Sequence, residues 1–513
     1  MFKKLIILAV LVFISVPVFA QSVDTVWVRR YNGPLDYAYA GEIAVDGSGN
    51  VYVTGMSSGS GTMLDYATIK YYPNGDTAWV RTYNGTADGD DVSTAISVDG
   101  GGNVYVTGWC KSTVGSTDYA TIKYYSNGET AWVRLYDGLA NSWDVASAIA
   151  VDGSGNVYVT GMSSGSGTML DYATIKYYPD GDTAWVRRYN GPGNLEDDAH
   201  TLAVDDSGYV YVTGSSGGTG TSQDYATIKY YPNGNMAWLR RYNGPANSDD
   251  FAHVLAVDYS GNVYVTGWSN GDTTSYDYAT VGYTKDGTEL WVQRYNGPGN
   301  GLDVARNIAV DDSESVYVTG YSEGDTTCYD YATIKYYPNG DTAWVRRYNG
   351  PGNFMDNARA IAIDNSNNVY VTGSSCKIDW FDSWDSLNYA TIKYYPNGDI
   401  GWVKWYGYHY DDVPSALAVD RFGNVYVTGE SEDSLRMPGY ATIKYVQFLR
   451  GDANKDDKVS LSDIVYLINY LFKFGPAPEP IQAGDVNCDG KVSLGDIVYL
   501  VNYLFKFGPA PCS

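Results

Sequence analysis

The sequence predicts an all-β fold, an eight-bladed β-propeller of four-stranded antiparallel blades, followed by a small α-helical unit. Three observations carry that expectation. The string Val-Tyr-Val-Thr-Gly begins at Val51, Val104, Val157, Val210, Val263, Val316, Val369 and Val425, a period of 53 residues that lengthens to 56 only at the last step. A fixed period in this range marks an array of one supersecondary unit. Each unit holds four β-rich runs, as in NIAVD (307–311), VYVTG (316–320), YATIKYY (331–337) and AWVRRY (343–348), separated by turn signals such as PNGD and DGSGN. Finally, the array is split. TVWVRRY (25–31) is a fourth run standing ahead of any first, and the eighth unit stops after its third, YATIKY (440–445). The orphan run completes the open unit, hiding edges that would otherwise template aggregation.

Ahead of the array, Lys3 and Lys4 precede an apolar run from Leu5 to Val16, and Val18-Phe19-Ala20 offers small residues for cleavage. Residues 1–20 are therefore expected to be an export signal. No Cys follows the cleavage point to take a lipid anchor, and no later apolar run is long enough to span a bilayer. The mature chain is expected to be secreted or at the cell surface. A formal net charge of −25 argues against nucleic acid, whose phosphates need clustered Lys and Arg.

The recurring signature DYATIKY…G…W followed by AIAVD…GNVYVTG resembles the bacterial extracellular propeller repeats called SBBP, over residues 25–446. The family name implies seven blades, whereas this chain has eight units. Of function the resemblance says little, because propellers host unrelated activities.

Comparison of the units shows where individuality is allowed. The loops after VYVTG and after RYNG vary, and in an antiparallel blade both must lie on one face of the disc. An Asp stands eight residues before the strand-ending Asp in seven units, at Asp91, Asp144, Asp197, Asp250, Asp303, Asp356 and Asp412. These read as turn caps on each inner strand or as a ring for cations. Three residues further on, four consecutive units carry His200, His253, Arg306 and Arg359, near the mouth of the channel. They either grip an anionic ligand or neutralise the Asp residues. The seventh unit has a longer loop, CKIDWFDSWDSLN (376–388), where Trp380 and Trp384 either stack against sugar rings or pack the loop onto its scaffold.

Two enzyme-like patterns fail on context. G-x-S-x-G occurs five times but leads into another strand, whereas the catalytic elbow turns into a helix. The Trp after NGDTA loosely resembles the docking motif of quinone-dependent propeller dehydrogenases, without an assembled cofactor cage. With three His in the chain (His200, His253 and His409) and no nucleophile paired to them, catalysis lacks support, leaving a carboxylate-only lyase or glycosidase open.

After Tyr445 the pattern changes. DANKDDKVSLSD (452–463) and DVNCDGKVSLGD (485–496) place oxygen ligands at loop positions 1, 3, 5, 9 and 12, the EF-hand spacing that wraps Ca²⁺. The first set is Asp452, Asn454, Asp456, Ser460 and Asp463 with the Lys458 carbonyl. The second is Asp485, Asn487, Asp489, Ser493 and Asp496 with the Lys491 carbonyl. Each loop runs into an apolar helix, so two calcium ions are expected. Over residues 451–513 this tandem closely resembles a type I dockerin, which implies a cohesin-like partner. The partner-selecting positions 10 and 11 are Leu461 and Ser462, then Leu494 and Gly495, which points away from a cellulosomal partner. Cys488, inside the second loop, and Cys512, near the end, are placed for a bridge; Cys328 and Cys376 form a weaker candidate pair, leaving Cys110 over.

The expected domains are thus a signal (1–20), a propeller (21–446) and a dockerin (447–513). The expected function is binding or scaffolding without catalysis, with a polysaccharide or protein ligand on the variable face. The alternative is a polysaccharide-active enzyme delivered by the same dockerin.

Overall fold

The computed structural model describes residues 22–513, apart from 60–62, 113–115, 168, 272, 378–385, 408–409, 457, 507 and 513. The expected export signal, Trp380, Trp384 and His409 lie outside the described residues. The chain divides into two compact units, one spanning Thr25–Tyr445 and the other including Val446–Ser513.

Eight four-stranded antiparallel sheets form the larger unit. They run Ala38–Tyr83, Val92–Tyr136, Asp144–Tyr189, Asp197–Tyr242, Asp250–Tyr295, Asp303–Tyr348 and Asp356–Tyr406, blades 1 to 7, with blade 8 built from Asp412–Phe448 and Ser22–Tyr31. The first strand of each blade lies innermost, against the first strands of its neighbours, and the ring closes where Ala38–Val45 meets Asp412–Val419. Blade 8 takes its outer strand from the N-terminal run, which pairs with Pro438–Phe448.

One carboxylate explains the spacing of the recurring Asp and Tyr. Val157, Tyr158 and Val159 of the second strand are fully buried. A buried phenol needs an acceptor, and the Tyr158 hydroxyl donates to Asp152 Oδ2 at 3.0 Å. Asp152 Oδ1 meanwhile accepts the N–H groups of Ser154 and Asn156, both at 2.9 Å, so the same side chain shapes the intervening turn. The pairing recurs from Tyr52 with Asp46 to Tyr426 with Asp420.

A second repeated set joins each blade to the next. Between blades 2 and 3, Trp132 Nε1 and Lys123 Nζ donate to the Pro179 carbonyl at 3.1 and 3.0 Å. Arg134 Nε donates to the Gly181 carbonyl at 2.6 Å, and the Tyr119 hydroxyl to the Ala173 carbonyl at 3.3 Å. Gly181 has φ +89, open to glycine without strain, and its missing side chain makes room for the Trp132 ring and Arg134. Around them Tyr105, Tyr119 and Trp132 pack with Ile149, Val157, Val159 and Ile175 in one buried cluster. The recurring Trp is therefore an inter-blade residue.

In the smaller unit, helices α1 (Leu461–Lys473) and α2 (Leu494–Lys506) share a core of Ala453, Ile464, Leu467, Val486, Ile497 and Leu500. Ser460 caps α1, with Asp463 answering it in a capping box. Cys488 and Cys512 form a disulfide, with Cα atoms 6.2 Å apart. The weaker candidate pair does not form: neither Cys328 nor Cys376 is disulfide-bonded, and Cys376 is buried in a strand opposite Leu387.

Candidate functional site

The channel mouth is built by a repeated irregularity. In blade 4, Ala199 pairs with Gly214 and Thr201 with Thr213, leaving His200 as a bulge outside the ladder. The same bulge falls at Gly41, Thr94, Ser147, His253, Arg306, Arg359 and Ser415. A Cβ on Gly214 would collide with the Asp198 carbonyl oxygen, so the glycine of VYVTG admits the bulged backbone. That structural duty accounts for the leading glycine of the G-x-S-x-G matches. Bulges re-aim side chains, and this one sets eight residues around the ring, four small and four basic.

The four basic residues form one arc. The His200 and His253 rings stand edge to face at 5.8 Å. His253 Nε2 is buried without a hydrogen-bond partner, and burial, reinforced by the charges of His200 and Arg306, holds its pKa down at about 3. Arg306 lies over the Tyr321 ring at 5.5 Å. Desolvation, together with repulsion from Arg306, pulls the Arg359 pKa below its ordinary value. Among the described residues neither arginine has an ion pair, and His200 reaches only Asp198, at 3.3 Å. Beside Arg359 opens a cavity of about 400 Å³, lined also by Tyr39, Gly41, Met56, Ser415 and Glu430. Burial raises the Glu430 carboxyl to about 7, and likewise that of Glu42 beside Gly41.

Six of the seven aspartates, Asp91, Asp144, Asp197, Asp250, Asp303 and Asp356, act as turn caps. Asp197 is fully buried and accepts the N–H groups of Gly191 at 2.6 Å and Gly217 at 3.1 Å, tying the two variable loops together. Asp250, Asp303 and Asp356 accept from Gly244, Gly297 and Gly350 in the same way. The basic arc is therefore not spent on neutralising them. Sequence reasoning missed the residue after VYVTG, which pairs beside the bulge and is Met, Trp, Ser, Tyr or Glu according to the blade. In blade 5 it is Trp268, stacked on Phe251 at 4.5 Å and against Tyr276 at 4.1 Å. Its signal was a single variable position directly following an invariant string.

In the smaller unit, Asp452, Asp456 and Asp463 bring carboxylate oxygens within 4.8 Å of one another. Backbone donors shape both loops: Asp496 Oδ1 accepts from Val486 and Asn487, and its Oδ2 from Ser493 at 2.8 Å. Asp485 accepts from Asp489 and Gly490 at 3.1 and 3.0 Å. The Lys458 and Lys491 N–H groups turn to Asp456 and Asp489, both at 3.1 Å, and Ser460 sits at the start of α1. Carboxylate and amide oxygens gathered this way form a hard donor set that suits Ca²⁺. Each helix also exposes an apolar stripe, Leu461, Val465 and Phe472 on α1 and Leu494, Val498 and Phe505 on α2.

Comparison with known proteins agrees with this division. The family described as Dockerin type I domain matches residues 450–505. The SBBP family, described as Beta-propeller repeat, matches residues 26–61, 132–167, 184–220, 237–272, 290–325, 343–375 and 400–435. An uncharacterized WD repeat-containing protein of Acanthamoeba polyphaga mimivirus is 22% identical over 418 residues, covering 65% of this chain and 29% of the relative, so the chain spans less than a third of that protein. Among solved structures, a catalytically inactive virginiamycin B lyase from Staphylococcus aureus with quinupristin aligns at 10% identity and TM-score 0.41, over 82% of this chain and 99% of the lyase. The propeller domain of the Trilobed protease from Pyrococcus furiosus aligns at 10% identity and TM-score 0.40, over 69% of this chain and 96% of that one. Likenesses at this level carry no functional argument.

Proposed function

Because the chain joins a propeller of SBBP repeats to a type I dockerin, a component of a dockerin-mediated assembly, we propose that it is an exported, non-enzymatic binding protein whose ligand is anionic and sits at the channel mouth. The observation that carries the ligand class is the arc of His200, His253, Arg306 and Arg359 beside a cavity of small-molecule size, in which neither arginine has an ion pair among the described residues. Two exposed guanidinium groups without an ion pair among the described residues favour an incoming anion, with the neutral His253 as a neighbour. In the dockerin, Asp452, Asn454, Asp456, Lys458, Ser460 and Asp463 would hold one calcium ion. Asp485, Asn487, Asp489, Lys491, Ser493 and Asp496 would hold a second. Bound calcium would neutralise the clustered carboxylates and fix both loops, and the exposed stripes of α1 and α2 would face a cohesin.

The test is a pull-down from the host's secreted proteins and glycans. A variant with His200, His253, Arg306 and Arg359 all changed to Ser is expected to lose an anionic glycan or acidic protein that the wild type retains. Replacing Trp380 and Trp384 should weaken a glycan in particular. Equal retention by both variants moves the site elsewhere. A second reading rests on Glu42 and Glu430, two carboxyls held near neutrality, where acid–base catalysis operates. Turnover of a polysaccharide, abolished by Glu430→Gln, would select the lyase or glycosidase.

A further inference from the structure

The junction of blades 2 and 3 departs from the others in its charge. In blades 3 to 6, the Arg that precedes the last Tyr of the outer strand pairs with the Asp that opens the DYAT run of the third strand. Arg188 meets Asp171 at 2.9 Å, Arg241 meets Asp224 at 2.9 Å, Arg294 meets Asp277 at 2.8 Å and Arg347 meets Asp330 at 2.8 Å. Two residues after that Arg stands a neutral Asn, as in Asn190, Asn243, Asn296 and Asn349. Where blade 7 loses the cation, with Trp405, it also loses the anion, with Asn388. Blade 1 has Thr82 for the Arg but keeps the neutral Asn84.

Blade 2 behaves differently. Leu135 replaces the Arg, Asp118 is kept, and Asp137 replaces the Asn. The junction is thus two charges more negative than those that follow blades 3 to 6 and one more than that of blade 1, which keeps Asp65; Asp144 of blade 3, an Asp found at the same place in most blades, adds a third carboxylate. Oxygens of Asp118, Asp137 and Asp144 lie within 4.8 Å of one another. Asp118 is 8% exposed and Asp144 fully buried. The Oδ1 atom of each is buried without a hydrogen-bond partner, as in Asp171, Asp224, Asp277 and Asp330, but Asp118 lacks the arginine that those four have. No ion pair reaches Asp118 among the described residues. Three carboxylates in a partly dry pocket repel one another unless a cation joins them.

We propose that Asp118, Asp137 and Asp144 bind a divalent cation of the calcium class, standing where blades 3 to 6 place a guanidinium. A hard cation takes six to eight oxygen ligands at about 2.3–2.6 Å. Asn141 turns its side-chain amide toward Asp137 and donates an N–H to that carboxylate, so the remaining ligand oxygens would come from water and backbone. The bound ion welds the last strands of blade 2 to the first of blade 3.

The full-length chain serves for the test, with calcium and terbium as probes. Residues 447–513 contain no Trp, whereas Trp143 is bridged to Thr117, beside Asp118. Terbium emission sensitised through tryptophan therefore reports on the propeller. We expect such emission in the wild type, displaced by calcium. Asp137→Asn, at an exposed position, should abolish it. Leu135→Arg combined with Asp137→Asn rewrites blade 2 as blade 3. That variant should bind one calcium fewer in equilibrium dialysis while keeping the wild-type melting temperature measured with calcium; Leu135 is 41% exposed, so the larger side chain has room. Absence of sensitised emission in the wild type, or emission and calcium stoichiometry unchanged in both variants, would overturn the site and leave protons as what the three carboxylates share.

Discussion

Trp27 Nε1 donates to the carbonyl oxygen of Pro73 at 3.1 Å, the bond that Trp132 makes to Pro179 between blades 2 and 3. Arg29 Nε to the Gly75 carbonyl, Lys444 Nζ to Pro73 and the Tyr440 hydroxyl to Ala67 complete the standard set. The ring closes with the same bonds that join its interior, their donors drawn from both ends of the propeller.

Removing the N-terminal strand should therefore open the ring. Deletion of residues 21–33 exposes the edge of Pro438–Phe448 and is expected to cause aggregation, read by light scattering. Trp27→Ala, at a residue 5% exposed, should cost about 3–5 kcal/mol. Unchanged solubility and melting temperature in both variants would refute the clasp.

Acid should weaken the propeller through His253. Burial lowers its pKa from 6.5 to about 3, so the unfolded chain takes up a proton that the folded one refuses. Its contribution is complete above pH 6.5 and declines as pH falls from there toward 3. Buried Asp91 and Asp356, raised to about 6, act in the opposite sense and confuse a single curve. The difference between wild type and His253→Asn isolates the histidine; parallel stability curves across that window would contradict its burial as a neutral ring.

How much of this was legible in the sequence depends on whether the relationship is periodic or pairwise. Blade count and clasp follow from the spacing of VYVTG and from two incomplete ends. The bulge does not, because register belongs to two strands together, and the glycine of VYVTG reads on its own as a strand ending. For that reason Arg306 and Arg359 were placed near the channel without the cause that turns them into it. The inter-blade role of Trp132 was hidden likewise, its acceptor lying 47 residues away.

Calcium should drive folding of the dockerin, and its loops should fill unequally. Position six of the second loop is Gly490, with φ +84, which glycine adopts freely. The first loop has Asp457 there, outside the described residues, and a left-handed Asp costs about 1 kcal/mol. Titration of residues 447–513, followed by circular dichroism and calorimetry, should show helix gained with calcium and the second site filled first. Helix content indifferent to chelator, or a tighter first site, would contradict this.

The Cys488–Cys512 bridge closes 24 residues of chain. Cys512→Ser is expected to lower dockerin stability by about 2–4 kcal/mol, measured by urea denaturation with calcium held constant. A reducing agent should reproduce the loss in the wild type and leave the variant unaffected.

The strand that finishes the last blade is also the first part of the ring to be synthesised: 401 residues separate Arg30 from Ser431, to whose side chain and backbone it bonds. During synthesis, blades 1 to 7 can each form from neighbouring hairpins as they emerge, by contacts short in sequence and therefore fast. The leading strand must wait, without its partner, until the eighth blade arrives. The entropy of closing so long a loop grows only logarithmically, so the delay is one of order rather than of cost. Maturation then turns on a single late event, and any helper that shields a lone β-strand would act at the N-terminus.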